Sequence, residues 1–130
     1  MGMIIVFLLI LRMIPSTLPC VRTSSGGTPS TTCCSALTQT LTSTSFPDGT
    51  MTFSYNSDTC RTTASATCST TDSSLDLNAA IVGNSVNYLD YAATTVTVPF
   101  TCSGGSWTYT TDGSTLVIDT LECVLTNPST

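Results

Sequence analysis

Seven cysteines in a chain of 130 residues, with neither histidine nor lysine anywhere, restrict this sequence more than any other feature. They are Cys20, Cys33, Cys34, Cys60, Cys68, Cys102 and Cys123. Such density is typical of an oxidising compartment, where small domains use disulfides to supplement a limited core. Spacing narrows the pairings. Cys60 and Cys68 flank a β-rich run, "RTTASAT", and on one strand they would lie about 26 Å apart. A disulfide needs Cα atoms within about 7 Å, so each must reach elsewhere. The even spacing sends both side chains to one face. Cys33 and Cys34 are adjacent, which favours two separate partners. In "SWTYTTDGSTLVID" a two-residue turn pairs Thr111 with Ser114; extending that register sets Cys102 opposite Cys123. The expected arrangement is Cys102–Cys123, closing a loop worth about 3 kcal/mol, with Cys33 and Cys34 taking Cys60 and Cys68 in an order that spacing leaves open. Cys20 is then left over, to be cleaved off, to compete for Cys33 or Cys34, or to form an intermolecular disulfide. Zinc is disfavoured, because Cys-x-x-Cys pairs and histidines are both lacking. No metal and no cofactor is expected.

The N-terminus agrees with that compartment. Met3 to Leu11 is an unbroken apolar run, too short to span a bilayer as a helix, which takes about 20 residues. Residues 1–19 therefore read as a secretory signal peptide, although Arg12 follows the apolar run instead of preceding it. No membrane insertion is expected once the signal is removed. Residues 20–32, including "VRTSSGGTPSTT", form a flexible lead-in of Ser, Thr, Gly and Pro, either O-glycosylated or unmodified. Asn127-Pro128-Ser129 is blocked as an N-glycosylation site by its proline. Residues 127–130 make a short polar tail without the apolar character of a lipid-anchor signal. Beyond the signal, Arg22 and Arg61 face seven Asp and one Glu; with Arg12 counted, the net charge of the full sequence is −5. Nucleic acid and anionic membranes need clustered cations, so neither is an expected partner.

Between residues 33 and 126, short Thr-, Val- and Tyr-rich runs alternate with turn signals, which predicts an all-β domain. Strands are expected near Leu37–Thr42, Thr50–Tyr55, Arg61–Cys68, Leu75–Val82, Thr94–Cys102, Ser106–Thr111 and Thr115–Cys123. Turns are expected at Pro47–Gly49, Asn56–Asp58, Ser103–Gly105 and Asp112–Gly113. Seven such strands suggest a small disulfide-stapled β-sandwich, with an immunoglobulin-like topology as one candidate and a small barrel as the alternative. Trp107, Tyr109, Leu116 and Ile118 fall on one face of their hairpin, and Val96, Val98 and Phe100 on one face of theirs. Both sets belong to the expected core. Pro99 argues that its strand lies toward a sheet edge.

The order of a Cys pair, "MTFSYNSDTC", "ATC", "TTVTVPFTCSGGSWTYT" and "LECV" resembles the six-cysteine extracellular domain of many secreted nematode proteins. The resemblance covers Cys33 to Val124. It implies three disulfides and an extracellular location, and it carries no established activity or catalytic residues.

No enzyme is expected, because without His or Lys the many Ser and Thr hydroxyls have no ordinary base. Asp72, Asp76, Asp90 and Asp112 fall in or near turns and strand ends, where solvation is the default for Asp. Asp76 and Asn78 alternate on one face, but no calcium-loop motif accompanies them. Within "VNYLDYAA", Tyr88 and Tyr91 are the candidate ligand patch, since exposed tyrosines suit recognition surfaces; packing on the core is the competing role. The expected function is a non-catalytic module binding an extracellular protein or glycan. The alternative is a structural or surface-coat component without a specific ligand.

Overall fold

The computed structural model describes residues 32–42, 47–72, 74 and 76–127. The expected signal peptide of residues 1–19, Cys20, most of the expected lead-in and the last residues of the tail lie outside them. The described chain forms eight strands: β1 (Thr50–Tyr55), β2 (Thr63–Ser69), β3 (Asn78–Gly83), β4 (Asn87–Ala92), β5 (Thr95–Ser103), β6 (Ser106–Thr111), β7 (Ser114–Ile118) and β8 (Leu121–Thr126). A five-stranded sheet has the order β1-β2-β5-β6-β7 and a three-stranded sheet the order β4-β3-β8, all antiparallel. Among the described residues no helix is long and apolar enough to cross a membrane.

Alternation decides what faces inward. In β5, "TVTVPFTCS" buries Val96, Val98 and Phe100 and exposes Thr95, Thr97, Pro99 and Thr101. In β2, "TASATCS" buries Ala64, Ala66 and Cys68. Opposing them, Ala79, Ile81, Leu121 and Cys123 from the small sheet join the same core cluster. Each buried Val, Ile, Leu or Phe among them stabilises the fold by about 1.5–3 kcal/mol. The outward face of the large sheet carries cross-strand hydroxyl pairs instead, such as Thr67–Thr97 at 2.9 Å and Thr110–Thr115 at 3.1 Å. Thr satisfies both demands, being β-branched for the strand and polar for the wet face. Trp107 and Ile118 are buried, with Tyr109 and Leu116 packed against the cluster, as their hairpin register requires.

The disulfides are Cys33–Cys60, Cys34–Cys102 and Cys68–Cys123. Cys33–Cys60 is one of the pairings that spacing leaves open; Cys102–Cys123 and a Cys34–Cys68 bond do not form. The register that set Cys102 opposite Cys123 runs straight through Gly104 and Gly105. Both glycines instead have positive φ, 60° and 84°, and reverse the chain so that Cys102 pairs with Trp107 across the β5–β6 hairpin. Past Ile118 the chain leaves the large sheet, and β8 carries Cys123 into the small one, paired with β3. The Cys68–Cys123 bond therefore joins one sheet to the other, with both cysteines fully buried. Cys60 precedes β2, so the inference that Cys60 and Cys68 leave one face of a shared strand also fails.

Three further expectations change. Leu37–Thr42 is not a strand but an extended segment with one bridge, Gln39 to Leu121. It is held by Trp107 Nε1 donating to Ser35 O at 2.9 Å and Leu37 N donating to the Tyr55 hydroxyl at 2.7 Å. Thr115–Cys123 divides into β7 and β8. β5 is internal despite Pro99, because β6 pairs only with Thr101, Cys102 and Ser103. Cys102 N–H points to β2, donating to Thr62 O, and alternation turns position 99 the other way, toward the stretch that β6 leaves unpaired.

Each outermost strand has part of its free backbone row occupied. Gln39 holds the β1 side, donating from Nε2 to Gly49 O at 2.9 Å and accepting Met51 N–H at 3.1 Å. On β7, Val117 O accepts from Asn84 Nδ2 at 2.8 Å. On β8, Thr40 N–H donates to Leu121 O and Gly49 N–H to Cys123 O. On β4, the Asp90 carboxylate takes Tyr91 N–H, and the Tyr109 hydroxyl donates to Leu89 O. Unpaired edges invite association, and side-chain contacts of this kind interrupt them.

Candidate functional site

β4 is an edge strand, made by a tight return from β3. Asn84 and Ser85 take the left-handed conformation, with φ of 53° and 62°. Asn tolerates that region, and its side chain can bond locally. Here the Asn84 amide reaches across the corner to Val117 O, Asp119 N–H and Thr120 N–H. Ser85 Oγ donates to the buried Glu122 carboxylate at 2.5 Å. Asn87 Nδ2 donates to Gly83 O at 3.3 Å, closing the return.

Tyr88 and Tyr91 are three residues apart and would lie on opposite faces of a regular strand. A bulge changes this. Tyr88 pairs with Val82 and Asp90 with Ile81, which leaves Leu89 as the additional residue, and Tyr91 then pairs with Ala80. Val82 and Ala80 are two apart on β3, so both tyrosines stand on the same face, the side of the small sheet away from Ile81 and the core. They are 63% and 57% exposed, whereas Ala80 and Val82 beneath them are buried. Exposure at both positions removes the core-packing role considered for these residues: neither tyrosine packs into the core.

Asn78, Thr126 and Asn127 complete this face, enclosing with Tyr88 and Tyr91 an open cavity of about 220 Å³. On the other side of Tyr88 a second open cavity of about 290 Å³ lies between β4 and the β6–β7 hairpin, against Asn87, Tyr109, Thr115 and Leu116. Tyr109 is fixed there by its hydroxyl bond to Leu89 O at 3.2 Å and by packing on Phe100, ring centroids 6.1 Å apart. No carboxylate or guanidinium lines either cavity. Asp90 stands between the tyrosines in sequence but is paired with Ile81.

The other singled-out carboxylates do not gather here. Asp76 is exposed, and Asp112 sits at positive φ in the β6–β7 turn with Gly113. Asp72 accepts the Ser74 hydroxyl at 2.6 Å and its N–H at 2.8 Å, and these bonds hold its carboxyl below the ordinary value. Among the described residues no group of three or more His, Cys, Asp or Glu side chains converges. Arg61, the one cation among the described residues, lies over the Tyr55 ring at 5.0 Å, remote in sequence from the tyrosine face. From sequence, Asn78 lies with Asp76 on one strand face, where no calcium-loop motif accompanies them, and Tyr109 is a core residue. Their part in this face follows from strand pairing, which a single sequence does not display.

The chain is thus an all-β, two-sheet protein with three internal disulfides and a tyrosine-bearing outer face. No protein-family model matches it, and neither a curated protein nor a solved structure matches it.

Proposed function

We propose that the protein is a secreted, non-catalytic binding module whose ligand contacts the Tyr88–Tyr91 face. The observation that carries this reading is the β4 bulge, which brings two exposed aromatic rings to one side of a sheet. Tyrosine supplies large contact area with only two side-chain torsions to freeze, which is why it is enriched in recognition surfaces. Three internal disulfides and an N-terminal apolar run support passage through an oxidising secretory route. The resemblance to secreted nematode six-cysteine domains implies the same setting. Without His or Lys, the hydroxyl groups of the chain have no ordinary base to make them nucleophiles.

The test is a binding screen of the mature, oxidised protein against arrayed glycans and extracellular matrix proteins, repeated with Tyr88→Ala/Tyr91→Ala. A retained circular dichroism spectrum with lost binding supports the proposal. Binding that survives both substitutions overturns it. Absence of any ligand overturns it in favour of a structural or surface-coat role.

A further inference from the structure

Tyr88 is the wall shared by two cavities, one toward Asn78 and Asn127 and one toward Asn87 and Tyr109. At about 220 and 290 Å³, each falls below the span usual for a single enclosing ligand pocket, about 300–1,000 Å³. An extended ligand crossing Tyr88 would use both. The chemistry of the lining is uniform: aromatic rings, side-chain amides, and Thr or Ser hydroxyls. An amide or hydroxyl both donates and accepts, matching ligand hydroxyls that do the same. Tyrosine rings offer flat apolar faces to the C–H side of a pyranose, with a polar tip at the edge.

Charge excludes the main competitors. An anionic glycan would approach a protein of net charge −5 with no cation in either lining. A cationic peptide would look for a carboxylate there and find none. A stable protein partner needs about 800 Å² on each side with an apolar centre, whereas this face is two rings bordered by polar groups.

Building on the proposal that the Tyr88–Tyr91 face binds a ligand, we infer that the ligand is a neutral oligosaccharide lying across Tyr88 and occupying the cavities on both sides. Asn78, Tyr91 and Asn127 take one end of it, and Asn87, Tyr109 and Thr115 the other.

The experiment is calorimetric titration of the oxidised protein with neutral oligosaccharides of one to six units, built from glucose, mannose, galactose or N-acetylglucosamine. Sulfated and uronate-containing glycans of similar length run in parallel. Binding to one neutral series should tighten with length until both cavities are filled. Tyr88→Ala should then weaken the longest ligand by about tenfold or more. Asn127→Ala, and Ser114→Trp placed to fill the second cavity, should each weaken long chains several-fold and single sugars little. Tighter binding of anionic glycans overturns the inference. So does binding of proteins alone that Tyr88→Ala/Tyr91→Ala abolishes, although the ligand-face proposal then survives. Affinity independent of chain length, or indifferent to Ser114→Trp, overturns the two-cavity path. If no ligand responds to Tyr88→Ala/Tyr91→Ala, both the inference and the proposal beneath it fall.

Discussion

Asn84 donates its backbone N–H to Thr120 O at 3.0 Å and accepts the Thr120 N–H on its own Oδ1 at 3.3 Å. One residue thus fixes the corner at which the chain passes from β7 in the large sheet to β8 in the small one. Asn84→Ala removes the side-chain bonds to Val117, Asp119 and Thr120 and leaves a Cβ residue at φ 53°. The expected loss is about 2 kcal/mol in urea unfolding, from part-solvated hydrogen bonds plus the left-handed penalty. Asn84→Gly relieves the backbone and should lose less. Equal losses would mean that the conformation contributes nothing.

The cysteine pairs should open in a fixed order. Cys33 is exposed, while Cys68 and Cys123 are 0% exposed. Limited reduction followed by alkylation and peptide mapping should therefore label Cys33 and Cys60 first and Cys68 and Cys123 last. Cys68→Ala/Cys123→Ala removes a cross-link spanning 55 residues. It should cost about 4 kcal/mol in the chain-entropy model. Mapping that recovers Cys102 joined to Cys123 would contradict the two-sheet connection itself.

Gly49 is held by space. A Cβ there would meet Cys123 Sγ at 2.5 Å and Ser69 O at 2.7 Å, beside the inter-sheet disulfide. Gly49→Ala should destabilise by about 3 kcal/mol through overpacking against groups that cannot retreat. Thermal unfolding of the variant measures it. Wild-type stability would show that the strand start can shift away from Cys123.

Asp72 gives a pH effect of known sign. The Ser74 hydroxyl and then the Ser74 N–H hold its carboxyl below the ordinary 3.8. A carboxylate lowered on folding contributes stability above its unfolded value, and that stability is lost as the pH falls through the lower folded value. In a carboxyl NMR titration, Ser74→Ala should raise the Asp72 midpoint toward 3.8. An unmoved midpoint would assign the shift to something other than the Ser74 hydroxyl.

Local signals carried much of the fold into the sequence. Thr50–Tyr55 and Ser106–Thr111 stand where alternation and turn residues put them, and Asp112-Gly113 makes the expected two-residue turn at positive φ. Non-local choices did not show. Gly104-Gly105 was legible as a turn, but carrying the hairpin register through it misplaced Cys102, and the crossing after Ile118 that takes Cys123 to the small sheet left no local signal. Whether a strand continues or crosses at Asp119-Thr120 depends on Asn84, some 35 residues away in sequence. Leu37–Thr42 has strand composition, but its backbone bonds go to Tyr55, Asp48 and Leu121 rather than to a continuous ladder. Tyr88 and Tyr91 were visible as candidates; that they share a face was not, because a bulge leaves no residue signature in "NYLDYA".

The contacts of Gln39, Asn84, Asp90 and Tyr109 with the outer strands bear on how the protein behaves when many copies are crowded together. A Thr- and Val-rich sheet with bare margins would serve as a template for a second copy, and then for a fibril. Among the described residues each margin is interrupted by a side chain or loop backbone of the molecule itself, which shortens the row that a second copy could extend.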